Sequence, residues 1–496
     1  MGAFKGNRPA AFAKGVQKKM KKNSSNPALF PSPEDRLRRD QQLTLDLLEA
    51  QRRLAAGSVT PTLDCAKFRS ELAEFDFSTP QPLEDVLRWT NSQLEHGVVH
   101  MTHPRYFGLF NPNPSFPAQC ADRIAGAFNP QLASSKTSPV AVDIEAHVIR
   151  LFAQKAGLPA DAGGHFTSGG SEANFTALVC ALTRADGGFA ADGARAFEGP
   201  PTFYVSRESH LAWIKIAHET GIGRDAVRLI PTDGKGRMDA DALIKTIKQD
   251  RAKGFIPVMV VATAGTTGSG MIDPLMACAS VAKEHGVWYH VDAAWGGALI
   301  VSDRLREQLA GMEMADSITI DAHKWLAATM GCGMFLTRHP LILTTAFDVS
   351  TSYMPSHIPS HDPYVNTAQW SRRFMGLRLF LSLAAAGWEG YSEHIARSIE
   401  LSAYAKKSLE AKGWKIINNS PLAVLNILPP QRGVNVSVIV DRVLASGKAW
   451  VSVASYEGEK VIRACVTNGE TSEDDVDALV DALEAAFMAE TATALT

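Results

Sequence analysis

Cysteine is scarce in this chain: six in 496 residues, at positions 65, 120, 180, 278, 332 and 465. They lie far apart and form no C-x-x-C pair. That spacing gives neither a disulfide frame nor a zinc site, so no metal is expected, and it fits a reducing compartment, hence the cytoplasm. An excess of either charge is missing too. Lysine and arginine number 50 against 52 aspartates and glutamates, a net charge of -2, which offers nucleic acid no basic footprint. Long apolar runs are absent, and none approaches the ~20 residues needed to cross a bilayer. Neither nucleic acid nor membrane is therefore an expected partner. The first 33 residues, "MGAFKGNRPAAFAKGVQKKMKKNSSNPALFPSP", contain no acidic residue. They also lack a signal peptide's apolar core, and Gly6 stands where a myristoylation signal takes Ser or Thr. They read as a disordered basic tail, with a transit peptide as the alternative.

The chain does have a globular composition, 45% hydrophobic and 21% charged, and is long enough for two or three domains. "SPEDRLRRDQQLTLDLLEAQRRLAAG" predicts a helix, with Ser32 as N-cap, Pro33 and Glu34 in the first turn and Gly57 beyond the end. "PLEDVLRWTNSQLEHG" predicts a second. These helices bury little by themselves and should pack on another domain or subunit. From about 115 to 345, β-rich runs alternate with helical stretches: "TFYVS", "PVMVVAT", "VWYHVD", "SITID" and "GMFLT". This pattern predicts βαβ units and a mostly parallel sheet. A long helical pattern then runs from about Trp370 to Lys412, with a break near Gly387. The remainder suggests a small α/β domain closed by a helix.

Polar residues gather where the predicted strands end, which is where such sheets bind ligands. In "DSITIDAHKWLAA", Lys324 follows an apolar run. A desolvated ammonium is costly, so it reads as a snorkelling lysine or as one that sheds its proton to form a bond. In "HFTSGGSEANFTALVCAL", Gly169, Gly170 and Ser171 lead into a helix. They read as a phosphate cradle or as a plain glycine turn with Ser171 as N-cap. In "YHVDAAWGGALI", Asp292 ends an apolar strand and must be paired. It reads as a cap, or as the partner of a cationic group, with Ala293 and Ala294 leaving room for a flat object. His210 in "SRESHLAWIKIA" reads as structural, or as an aromatic cover for a planar ring. One cofactor needs all four features, pyridoxal 5'-phosphate. Its phosphate would go to the glycine-serine turn, its ring N–H to Asp292, one ring face to His210 and its aldehyde to Lys324.

The runs "HPRYFGLF", "TSGGSEAN", "VATAGTTGSGMIDP", "HVDAAWGGA" and "DAHKWL" carry a resemblance over roughly residues 40 to 490. The sequence resembles the group II pyridoxal-phosphate decarboxylases of amino acids, whose members act on aromatic amino acids, glutamate, cysteine sulfinate and diaminobutyrate. The resemblance implies an α/β fold of fold-type I and a homodimer with shared active sites. It carries over Thr263 as a cofactor contact, His323 as a neighbour of the phosphate and Asp273 as support for the ring. The expected organisation is a basic tail (1–33), a helical segment packing on the partner subunit (34–114), a large cofactor-binding domain (115–386) and a small domain (387–496).

Two features depart from the family. Some aromatic-specific members have Asn in place of Asp321, and a carboxylate beside a phosphate is repulsive. Asp321 is therefore expected to act through its backbone or to pair with another group. "NPQLASSKTSPV" (129–140) falls where the resemblance puts the substrate-pocket wall, with Lys136 in place of large aromatic residues. The expected reaction is decarboxylation of an L-amino acid, first of the tryptophan, tyrosine, phenylalanine or DOPA type. A substrate such as glutamate, aspartate, cysteine sulfinate or 2,4-diaminobutyrate is the alternative, and then an aminotransferase using Arg463 for the α-carboxylate. Tyr353, in the Pro-, Ser- and His-rich run "FDVSTSYMPSHIPSHDPYVN", is the expected acid on a mobile lid, with His357 and His361 beside it.

Overall fold

The computed structural model describes residues 26–349 and 362–494. Backbone contacts divide it into two compact units. The smaller, within residues 1–56 and 61–98, is helical: Pro33–Ala56, Cys65–Ala73 and Leu83–Gly97. Ser32 Oγ accepts the Asp35 N–H at 3.1 Å, as an N-cap does. The Cys65–Ala73 helix was not legible in the sequence. It is short, and its start is set by Asp64, whose carboxylate accepts the N–H groups of Ala66 and Lys67. Arg53 ties the first helix to the third through a bidentate pair with Glu95, at 2.6 and 2.8 Å.

The larger unit, residues 57–60 and 99–496, is built on a seven-stranded sheet. Its strands are β1 (Gly163–Thr167), β2 (Pro201–Ser206), β3 (Val227–Ile230), β4 (Ile256–Thr263), β5 (Trp288–Asp292), β6 (Ser317–Asp321) and β7 (Gly333–Thr337). Their order is β1-β7-β6-β5-β4-β2-β3. β7 pairs antiparallel with both β1 and β6, and the other pairings are parallel. The sheet is thus mostly parallel, of the fold-type I kind. Every residue of β2, β5, β6 and β7 is buried, as expected of strands covered on both faces. β3 escaped the sequence reading because it is a half-buried edge strand of four residues carrying Arg228.

The long helix begins at Gly376, not Trp370, and runs to Ala411. The preceding residues are committed elsewhere. Arg372 pairs with Glu145 and donates to the Phe166 carbonyl. At Gly387 the helix breaks, with φ 66° and ψ 179°, a backbone that glycine adopts without strain. Beyond it, β8 (Lys415–Ile416), β9 (Val424–Leu428), β10 (Ser452–Tyr456) and β11 (Glu459–Cys465) form an antiparallel sheet in the order β10-β11-β9-β8. One apolar cluster joins the two sheets, from Val291 and Ile320 to Ile427 and Leu479.

Asp273 clamps the end of β4. Its two carboxylate oxygens accept the Met238 N–H at 2.7 Å and the Thr263 N–H at 2.8 Å. Burial pushes this carboxyl up to about 7, against the pull of those two donors. An asparagine offers one acceptor where two are needed. Asp273→Asn should therefore cost roughly 1–3 kcal/mol, read as a lower denaturation midpoint in urea. An unchanged midpoint would show that the clamp is dispensable.

Candidate active site

The parallel strands end along one edge of the sheet. The register places Thr263 beside Asp292, and Asp292 beside Thr319. A cavity of about 270 Å³ opens there. Gly169, Gly170, Ser171, His210, Thr263, Asp292, Ala294, His323 and Lys324 all line it. The sequence had picked each of them separately, and the fold brings them together. Tyr353, His357 and His361 lie outside the described residues.

The glycine-serine turn joins β1 to the Gly170–Ala185 helix. Gly169 is the N-cap, so Ser171 is already inside the helix and is not the cap. No side chain caps the end, and the first N–H groups of a helix have no intrahelical partner. The approach is close. A Cβ at Gly170 would lie 2.8 Å from Asp321 Oδ2 and 3.4 Å from Ala294 Cβ, so glycine there keeps the cradle open.

Asp292 is 4% exposed. Its Oδ1 accepts the Ala294 N–H at 3.2 Å and its Oδ2 the Asn174 amide at 2.8 Å. Each oxygen retains capacity to accept another hydrogen bond. Thr263 exchanges a hydroxyl bond with Ser209 at 2.7 Å. His210 is exposed, its Nδ1 accepting the Ala212 N–H at 3.1 Å. His323 is fixed by its Nδ1, 3.0 Å from the Cys332 carbonyl.

Lys324 sits in the turn just past β6, with Nζ 3.0 Å from Asp321 Oδ2. Of the two expectations for Asp321, pairing is therefore the one observed. Its other oxygen, Oδ1, is buried without a hydrogen-bond partner among the described residues. A floor of stacked rings supports the site. Phe110 lies 4.3 Å from Trp295, and Trp295 lies 4.9 Å from Trp325, centroid to centroid. Arg463 is not among the cavity-lining residues. Its guanidinium covers Phe110 at 4.6 Å, and Nη1 donates to the Gly108 carbonyl at 2.7 Å. Residues 129–140 do not line this cavity either. Leu132 is buried in a cluster with Ala121, Ala125 and Phe374, Ala133 packs with Tyr364, and Lys136 is exposed.

Asn174, Ser209, Phe110 and Trp295 belong to the site or its support but were missed as site residues. Asn174 stands inside the quoted run "TSGGSEAN", so a signal existed. What the sequence could not show is which side of the helix faces the sheet.

The donor set fits pyridoxal phosphate. A helix N-terminus with a glycine-lined cradle suits the phosphate. A buried carboxylate with acceptor capacity suits the ring N–H. A primary amine stands at the cavity wall for the aldehyde. Comparison with known proteins agrees. The family model described as "Pyridoxal-dependent decarboxylase conserved domain" matches residues 70–424. The chain is 28% identical over 444 residues to an aromatic-L-amino-acid decarboxylase of Bacillus atrophaeus, covering 87% of this chain and 91% of that protein. It is 34% identical over 331 residues to an L-2,4-diaminobutyrate decarboxylase of Rhizobium meliloti, covering 66% and 65%. The crystal structure of mouse CSAD in apo form matches with a TM-score of 0.83 at 26% identity, covering 90% of this chain and 98% of that one. The chain belongs to the pyridoxal-dependent decarboxylase family, and is an enzyme that uses pyridoxal phosphate to remove the carboxyl group of an amino acid as CO2.

Proposed function

We propose that the substrate is an aromatic L-amino acid of the tryptophan, tyrosine, phenylalanine or DOPA type. The observation that carries this is the Phe110–Trp295 stack, which lines the cavity with two rings 4.3 Å apart. A second reading, a diamino acid, rests on Glu172. Glu172 lines the cavity, and its carboxylate, now accepting from Ser168 and Gln369, would suit a distal ammonium; the diaminobutyrate decarboxylase relative favours this reading. A panel of aromatic, acidic and diamino L-amino acids, read by CO2 and amine product, decides between them. Turnover confined to 2,4-diaminobutyrate would overturn the aromatic reading, and keto-acid formation without CO2 would point to an aminotransferase.

In this reading each side chain has one task. The N–H groups around Gly169, Gly170 and Ser171 bind the phosphate, with His323 beside it. Lys324 Nζ holds the cofactor covalently. Asp292 holds a proton on the ring nitrogen, His210 covers one ring face, and Thr263 and Ala294 bound its edge. The cofactor when bound supplies an electron sink for the bond to the departing carboxylate. Tyr353 then delivers a proton to Cα, with His357 and His361 as relays.

The same reading makes the enzyme a homodimer with shared sites, the N-terminal helices packing on the second copy. The Phe116–Phe128 helix supports it, leaving Phe116 at 75% and Phe128 at 81% exposure, an apolar face of the kind that marks an interface. Light scattering should return the mass of two chains, and a monomeric mass would remove this part of the reading.

Lys324→Ala should abolish turnover in a protein that still folds. Borohydride reduction of the wild type should fix the cofactor to the peptide containing Lys324, and label on another lysine would sink the assignment. Tyr353→Phe removes only a hydroxyl. Positioned acids contribute ~10²–10⁴-fold, so amine formation should fall by that order. With oxygen present, aldehyde, ammonia and peroxide should appear in its place. Amine formation at the wild-type rate would move the role to His357 or His361.

A further inference from the structure

Behind Asp292 lies a buried chain of polar side chains to which the reaction as described gives no task. Asn174 Nδ2 donates to Asp292 Oδ2 at 2.8 Å. Its Oδ1 accepts the Thr319 hydroxyl at 2.7 Å and lies 3.1 Å from His290 Nε2. His290 Nδ1 lies 2.8 Å from Ser317 Oγ, and the Trp288 indole N–H reaches the same oxygen at 2.8 Å. None of these six residues is more than 4% exposed.

The directions follow from the Asp292 end. A carboxylate only accepts, so the Asn174 amide N–H faces Asp292 Oδ2 and its Oδ1 faces Thr319 and His290. An amide oxygen only accepts, so the ring hydrogen of His290 is the one on Nε2. Burial pushes His290 down to about 4, outweighing the Asp292 carboxylate and a backbone contact with Ser317, so the ring is neutral near pH 7 and its Nδ1 accepts. The Ser317 hydroxyl can donate there while its oxygen accepts the Trp288 indole N–H. Reversing Asn174 would set its oxygen against a carboxylate and its N–H groups against two donors. The other contact of Asp292, the Ala294 N–H, is a donor as well.

We propose that Asn174, locked by His290 and Thr319, is a positioning residue that holds the Asp292 carboxylate aimed at the ring nitrogen of the cofactor. This rests on the reading of Asp292 as the ring's partner. Ser317 belongs to the same device, since its hydroxyl meets Nδ1 of that His290 tautomer. A wrongly turned amide would set its oxygen against the carboxylate and turn the carboxylate away from the ring nitrogen.

The test compares two cofactors in the reconstituted enzyme: pyridoxal phosphate and its 1-deaza analogue, in which C–H replaces the ring nitrogen. The dissociation constant of each is measured for the wild type, Asn174→Ala and Asp292→Ala. The wild type should prefer the natural cofactor by roughly tenfold or more, the size expected for a hydrogen bond to a charged group. Asn174→Ala should lose most of that preference while binding the analogue as the wild type does. A merely structural role would weaken both cofactors alike and leave the ratio unchanged. If Asn174→Ala does not fold, Thr319→Val removes only the hydroxyl that locks the amide, and its ratio should fall in the same direction. An unchanged ratio in a folded variant overturns the proposal. A wild type without preference, matched by Asp292→Ala, overturns instead the reading on which it rests.

Discussion

A carboxylate sealed at the end of a strand has to be compensated, and much of the site is arranged around that need at Asp292. The residue is 4% exposed and ends β5 in the middle of the sheet. Burying an isolated charge costs several kcal/mol, so each oxygen has a donor: a backbone N–H on one and an amide on the other. The parallel sheet supplies the position, because its strands end together at one edge. The Gly170–Ala185 helix supplies the amide, and the small residue Ala294 keeps the space in front open. With Asp292 moved to the other face, the glycine cradle and Lys324 would still exist but would no longer share a cavity with it.

Asp321 poses the opposite problem. It lies one turn from Lys324 and close against the glycine cradle, so one carboxylate neighbours both an ammonium and the place proposed for a phosphate. The 3.0 Å contact with Lys324 Nζ settles one oxygen. The other is buried without a partner among the described residues, and such an atom costs ~1–3 kcal/mol unless something supplies a donor. The geometry places this cost at the functional edge, where strain and unsatisfied groups tend to collect.

Much of this was legible in the sequence, for physical reasons. Strands covered on both faces are rich in β-branched and aromatic residues, so β2, β4, β5, β6 and β7 stood out. Functional side chains fall where those runs stop, so Asp292 and Lys324 could be picked out separately. What escaped was weakly buried or non-local. β3 is an edge strand with an arginine in it. The Cys65–Ala73 helix has no buried residue to give it a period. β7 was recognised, but its reversed direction depends on how the chain after Lys324 turns back. Asn174 looked like any residue in a good helix. Its partners come from β5 and β6, more than a hundred residues away, and no local pattern ties them together.

The alignment of Thr263, Asp292 and Thr319 across three neighbouring strands has a consequence for folding quality. In a strand, successive side chains point to opposite faces, so a slip of one residue turns Thr263 and Asp292 away from the cavity and Thr319 away from Asn174. A mispaired sheet would also carry His290, Ser317 and Thr319 to the face that now holds Val291, Ile318 and Ile320, and it could not assemble the site. A ligand that binds only the correctly registered chain stabilises it by mass action, by about 2.7 kcal/mol at a hundredfold excess over its dissociation constant. Cofactor binding thereby draws the population toward the one strand register in which the site is complete.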